Sequence, residues 1–169
     1  MLDKQTSLAK VIGNIRITVR DLDGNILEQV VLKNTITNLL FNLYRDALAG
    51  DLTHKDDAKI HYLAVGDDDG TILALAVTNT VLGNEVFRIG LVDTDATATG
   101  EYWTQFYLAP SEAVGWIREV GIYAGEAADA WGGGAGIDTG TLIARVFWSR
   151  NKTNIESIQY ERVDQISEA

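Results

Sequence analysis

Two short apolar runs in this chain carry charges of both signs. They are Gly83-Asn84-Glu85-Val86-Phe87-Arg88 and Trp116-Ile117-Arg118-Glu119-Val120-Gly121-Ile122-Tyr123. An apolar run that buries a face rarely holds opposite charges unless they are paired or meet a neighbouring subunit. Glu85, Arg88, Arg118 and Glu119 are therefore interface candidates, and Arg145, in another apolar run, shares their situation. The alternatives are pairing within one chain, Glu85 with Arg88 and Arg118 with Glu119, and pairing across a subunit boundary. Either way these runs read as the frame of a β-rich building block rather than a catalytic centre.

Strand patterning extends along the chain. In residues 11–20, Ile15, Ile17 and Val19 alternate with Arg16, Thr18 and Arg20, the period-2 signature of a half-buried strand. Asp23-Gly24 then signals a hairpin turn, and residues 26–32 return as its second strand. A helix is predicted over about residues 35–49, capped by Asn34 or Thr35 and stopped at Gly50. Its apolar face would hold Ile36, Leu39, Leu40, Leu43, Tyr44, Ala47 and Leu48. Residues 60–65 read as a central strand, apolar on both faces, with Ile60 and Tyr62 together on one of them. Residues 86–92 and 101–109 read as a hairpin around a Thr- and Ala-rich turn at 93–100. Residues 116–124 add a strand, and 141–149 with 153–163 a last hairpin. The expected fold is mainly β: an antiparallel β-sandwich-like domain over residues 11–163 with one amphipathic helix packed on it. Residues 1–10 are expected as an N-terminal arm and 164–169 as a C-terminal tail.

Candidate sites are few. Asp67-Asp68-Asp69, between Gly66 and Gly70, offers the carboxylates a hard cation needs. Successive residues point different ways, so the run reads first as an acidic exposed loop. Asp67, Asp68 and Asp69 are otherwise the metal candidates. His54, Asp56 and Asp57 read as a solvated loop. The glycine-rich run around residues 132–136 lacks the Lys and Ser or Thr of a phosphate-binding loop. Trp131 beside it is an aromatic on a loop, a residue type that often meets a partner. No Ser-His-Asp order or nucleophile elbow is present, so no catalytic residue and no cofactor are expected. The net charge of −10 disfavours binding to nucleic-acid phosphates or anionic membrane surfaces. No cysteine is present, which excludes disulfides and thiolate metal sites.

The order of the segments "HYLAVGDDDGT", "LGNEVFRIGL", "WIREVGIYAG" and "GTLIARVFW", after a helix entered through Asn34-Thr35-Ile36-Thr37, resembles small structural proteins of tailed bacteriophages. The similarity covers about residues 30–163. It implies a non-enzymatic virion subunit, assembled in the host cytoplasm, that works as a homo-oligomer and docks to other virion structural proteins. A tail, baseplate, neck or adaptor position is favoured, with capsid decoration as a further possibility. The alternative is a carbohydrate-binding β-sandwich module that stacks sugars on exposed members of Trp103, Trp116, Trp131 and Trp148.

Overall fold

The computed structural model describes residues 9–51, 58–125 and 139–168. In chain order these form β1 (Ala9–Arg20), β2 (Ile26–Lys33), β3 (Thr35–Ile36), α1 (Asn38–Ala49), β4 (Ile60–Gly66) and β5 (Glu85–Gly90). Then follow β6 (Asp93–Ala98), β7 (Glu101–Leu108), β8 (Gly115–Ala124), β9 (Thr141–Lys152) and β10 (Ser157–Glu168). One antiparallel sheet has the order β2-β1-β10-β7-β6 and the other β3-β9-β8-β4-β5. The expected β-sandwich-like domain with one helix is what these residues form.

The core lies between the sheets. Ile15, Ile17, Val19, Phe106, Leu108 and Ile158 from the first sheet meet Leu63, Val65, Ile117, Val120, Ile122 and Val146 from the second. The β1–β2 turn follows from its sequence. Asp21 Oδ1 accepts the amides of Asp23 and Asn25, and Gly24 sits at φ 85°, where a side chain would be strained.

Several expectations are corrected. The helix starts at Asn38, not at residue 35, and neither Asn34 nor Thr35 caps it. Residues 35 and 36 are taken up by the ladder of β9, opposite Arg145 and Ala144. Thr37 holds the N-cap position, but its hydroxyl donates to Leu142 O at 2.5 Å instead of capping. The apolar helix face is only partly used: Leu40 is buried, whereas Leu48 is 91% exposed. In β4, Ile60 joins the main core while Tyr62 turns to the opposite face, because a bulge against β8 shifts the register between them.

Residues 93–98 are a strand rather than a turn, and β7 pairs with this β6 and with β10. The Glu85 strand pairs instead with β4 in the other sheet. The last two strands form no hairpin. β9 and β10 lie in different sheets, and the chain crosses between them at residues 153–156. Glu156 organises that crossing by accepting the Thr153 amide at 3.0 Å and pairing with Arg150 at 2.6 Å. β10 runs on to Glu168, so residues 164–168 are strand rather than tail. Ala9 and Lys10, expected in the arm, pair with Glu168 and Ser167.

Candidate functional site

β4 and β5 are antiparallel neighbours that a hairpin loop of about 2–5 residues could join. The chain instead spends residues 67–84 between them, without helix or strand, and lays that loop on the outer face of the second sheet. Leu82 of the loop packs with Ala64, Tyr123 and Leu142, forming a small second core. Gly121 makes room for it: a Cβ there would sit 2.8 Å from Leu82 and 2.9 Å from Leu142.

Polar wiring holds the loop down, with Arg145 at its centre. Arg145 lies on β9 opposite Gly121, which has no side chain to compete for the space, and its side chain is fully buried. Its Nε donates to Glu119 Oε2 at 2.8 Å, and its Nη2 lies 2.6 Å from the same oxygen. From the loop it draws Asn79 Oδ1 at 3.0 Å, Leu73 O at 2.9 Å, Ala74 O at 3.3 Å and the Asp68 carboxylate at 3.4 Å. Glu119 in turn accepts the amides of Gly83 and Asn84 at 3.1 and 2.9 Å. Asp68 accepts those of Gly70, Ile72 and Leu73 at 2.9–3.0 Å. Burial pushes the Asp68 carboxyl up, but the three backbone donors and Arg145 outweigh it and hold the group below its ordinary value. One cation thus serves two buried carboxylates, with backbone amides completing the compensation that buried charge needs.

Glu85 and Arg88 make a second buried pair, bidentate at 2.7 and 2.7 Å. The Arg88 guanidinium lies 4.1 Å from the Tyr123 ring centre and donates to Thr139 O at 2.8 Å. Of the interface candidates, Glu85, Arg88 and Glu119 are buried within their own chain. Arg118 does not take Glu119 as its partner. It stands at a β8 bulge, 5.0 Å above the Trp116 ring, and donates to Asp67 O at 3.2 Å. Trp131, His54, Asp56 and Asp57 lie outside the described residues.

The acidic run divides. Asp68 is buried, contrary to the exposed-loop expectation, while Asp67 accepts from Asn84 and Asp69 from the Thr71 amide. No group of three metal-ligating side chains occurs among the described residues. Of the tryptophans, Trp148 is buried, donating to Glu28 at 3.1 Å, and Trp103 is half-buried, while Trp116 is half-exposed.

The consequence of the wiring is on the surface. Between the buried Asp68 and Asn79 runs Ile72-Leu73-Ala74-Leu75-Ala76-Val77. Its backbone is tied by Arg145 at residues 73 and 74, by Asn79 at Ala76, and at Val77 O by the amide of Asn38 at the helix start. Its side chains nevertheless point outward, with Ile72 69% and Val77 50% exposed and Leu75 also exposed. Sequence patterning assigns this segment to no element. Six apolar or small residues in a row without alternation were the available signal. Comparison with protein-family models, curated proteins and solved structures gave no match.

Proposed function

We propose that this chain is a non-enzymatic structural subunit of a tailed-phage virion, acting by oligomeric assembly and by docking to other virion proteins. A tail, baseplate, neck or adaptor position is the favoured place. One observation carries the reading. The chain commits a buried cation and two buried carboxylates to fixing a loop whose outward side chains are Ile72, Leu75 and Val77. Exposed apolar groups on a backbone held rigid lose little entropy when a partner covers them. Contiguous apolar patches on otherwise charged surfaces mark protein contacts. The segment resemblance to phage structural proteins supports the virion setting.

Native mass spectrometry of the purified chain, with pull-down on assembled particles, tests it. The expected result is an oligomer or particle-bound species that Leu75→Asp weakens at least tenfold without unfolding the monomer. A wild-type chain that stays monomeric at high concentration and ignores virion parts overturns the proposal.

A further inference from the structure

β2 ends the first sheet, and β1 is its one ladder partner among the described residues. An unpaired strand edge is a template for a further strand, and chains that stay apart blunt it with short length, charge, proline or bulges. The other sheet ends are blunted in these ways. β3 is two residues long, and β6 carries Asp93, Asp95 and a register shift. β5 keeps regular register with β4 only over residues 87–90. β2 is eight residues long and holds no proline, and its one shift, at Leu27, leaves residues 28–33 regular.

The phase of the ladder fixes which groups this edge offers. The Asn34 amide donates to Gly13 O at 3.1 Å. Antiparallel hydrogen bonding alternates along a strand, so Leu32, Val30 and Glu28 turn their backbone groups to β1. The N–H and C=O of Gln29, Val31 and Lys33 turn away from it. The same row on a second copy complements this one about a two-fold axis. With Val31 opposite itself on the axis, Gln29 faces Lys33 on the outer side of the sheet and Val30 faces Leu32 on the inner side. Val31, 62% exposed, gains an apolar neighbour. Gln29 Nε2 already donates to Thr18 Oγ1 at 3.1 Å, which leaves Oε1 to accept from the Lys33 ammonium of the second copy. Val30 and Leu32, only partly buried against the core, extend that core across the boundary. No like charges meet over residues 29–33 in this register.

We propose that two copies of this chain pair β2 to β2, antiparallel about Val31, and join their first sheets into one. This surface is separate from the loop of residues 67–84, so either can fail without the other. The chain has no cysteine, so single cysteines report the pairing cleanly. Hydrogen-bonded antiparallel partners have Cα atoms about 5.5 Å apart, inside the disulfide range of about 4.4–6.8 Å. Val31→Cys should therefore oxidise to a disulfide dimer at least tenfold faster than Leu48→Cys, on the exposed end of the helix. Amide exchange on the wild-type chain gives a second reading. Raising the protein from about 5 to about 500 µM should slow the amides of Gln29, Val31 and Lys33 about threefold, as a Kd of about 100 µM requires. Val31→Pro lacks only an N–H that faces away from β1, so it should fold and lose the slowing at residues 29 and 33. Val31→Lys, at an exposed position, sets like charges across the axis and should reduce it. Equal crosslinking at residues 31 and 48 overturns the proposal. So do outward amides whose exchange ignores concentration, which leaves the edge to water or to a foreign strand, and slowing that persists undiminished in both variants.

Discussion

Arg145→Ala removes a fully buried cation and every bond it makes to the loop of residues 67–84. The losses are the 2.6 Å pair with Glu119, the 3.4 Å pair with Asp68, and donations to Asn79 and to the carbonyls of Leu73 and Ala74. Deleting one member of a buried ion pair costs about 3–5 kcal/mol, because the other is stranded. Here two carboxylates are stranded, but both keep their backbone donors, and the loop can lift to hydrate them. The cost is therefore capped by the free energy of releasing the loop, and about 3–5 kcal/mol is the expected loss. For a domain of this size, at about 2–4 °C per kcal/mol, the melting temperature falls by about 6–20 °C. Urea denaturation gives the free energy, and amide exchange locates it. The amides of Ile72, Leu73, Gly83 and Asn84 should exchange at least about a hundredfold faster, since tenfold corresponds to about 1.4 kcal/mol. Adding Glu119→Gln should recover about 1 kcal/mol by removing one stranded charge. A loss below about 1 kcal/mol with those amides still protected would refute the assignment of Arg145 as the anchor.

Asp68→Asn should destabilise the protein at neutral pH but progressively less in acid. The folded carboxyl titrates below its ordinary value, so its contribution is present above about pH 4 and is lost as pH falls through the folded value. Denaturation curves from pH 7 to acid should show the wild-type and variant midpoints converging; a constant gap would remove the titration argument. Gly83→Ala should cost about 1–3 kcal/mol, because a Cβ there overlaps the Asp68 carboxylate, and the urea midpoint measures it. Thr37→Val should cost about 1–3 kcal/mol by leaving the Leu142 carbonyl unpaired, and Thr37→Ser should restore most of the melting temperature.

The first hairpin was legible because its information is local: alternation in β1 and an Asp-Gly turn whose backbone is bonded by the side chain of Asp21, two residues before the Asp-Gly pair. Strand existence was mostly legible for the same reason. Strand partners were not. β9 and β10 look like a hairpin in one dimension, yet the turn between them is organised by Glu156 reaching back to Arg150, and the strands part into different sheets. β6, Asp-Thr-Asp-Ala-Thr-Ala, has no apolar alternation because it is an edge strand, where polar side chains discourage further pairing. At the site, the charges in Glu85–Gly90 and Gly115–Ala124 were visible as an anomaly, and their pairing within the chain was one of the two open alternatives. Asp68 could not be told from Asp67 and Asp69, because what distinguishes it is Arg145, far along the chain. Leu73 and Ala74 enter the site only through their carbonyls, which the identity of a side chain does not report.

The two sheets treat water differently, and this bears on what the loop is for. The outer face of the first sheet is ordinary, with Arg16 and Glu161 in a loose surface pair at 3.5 Å. The second sheet is covered on both sides, by the core within and by the loop without, and β8 from Glu119 to Ala124 is buried throughout. Covering that face with a loop requires burying carbonyls and amides that water would otherwise satisfy, and Arg145, Glu119 and Asp68 supply those bonds. A chain selected only for solubility has a simpler solution: polar side chains on the outer face and a short turn from β4 to β5. Even with the loop in place, solubility would set charged residues at 72, 75 and 77, in keeping with the net charge of −10. The chain sets Ile, Leu and Val there and fixes their backbone from beneath. That combination of buried ionic anchoring and outward apolar display is what the proposed docking role would call for.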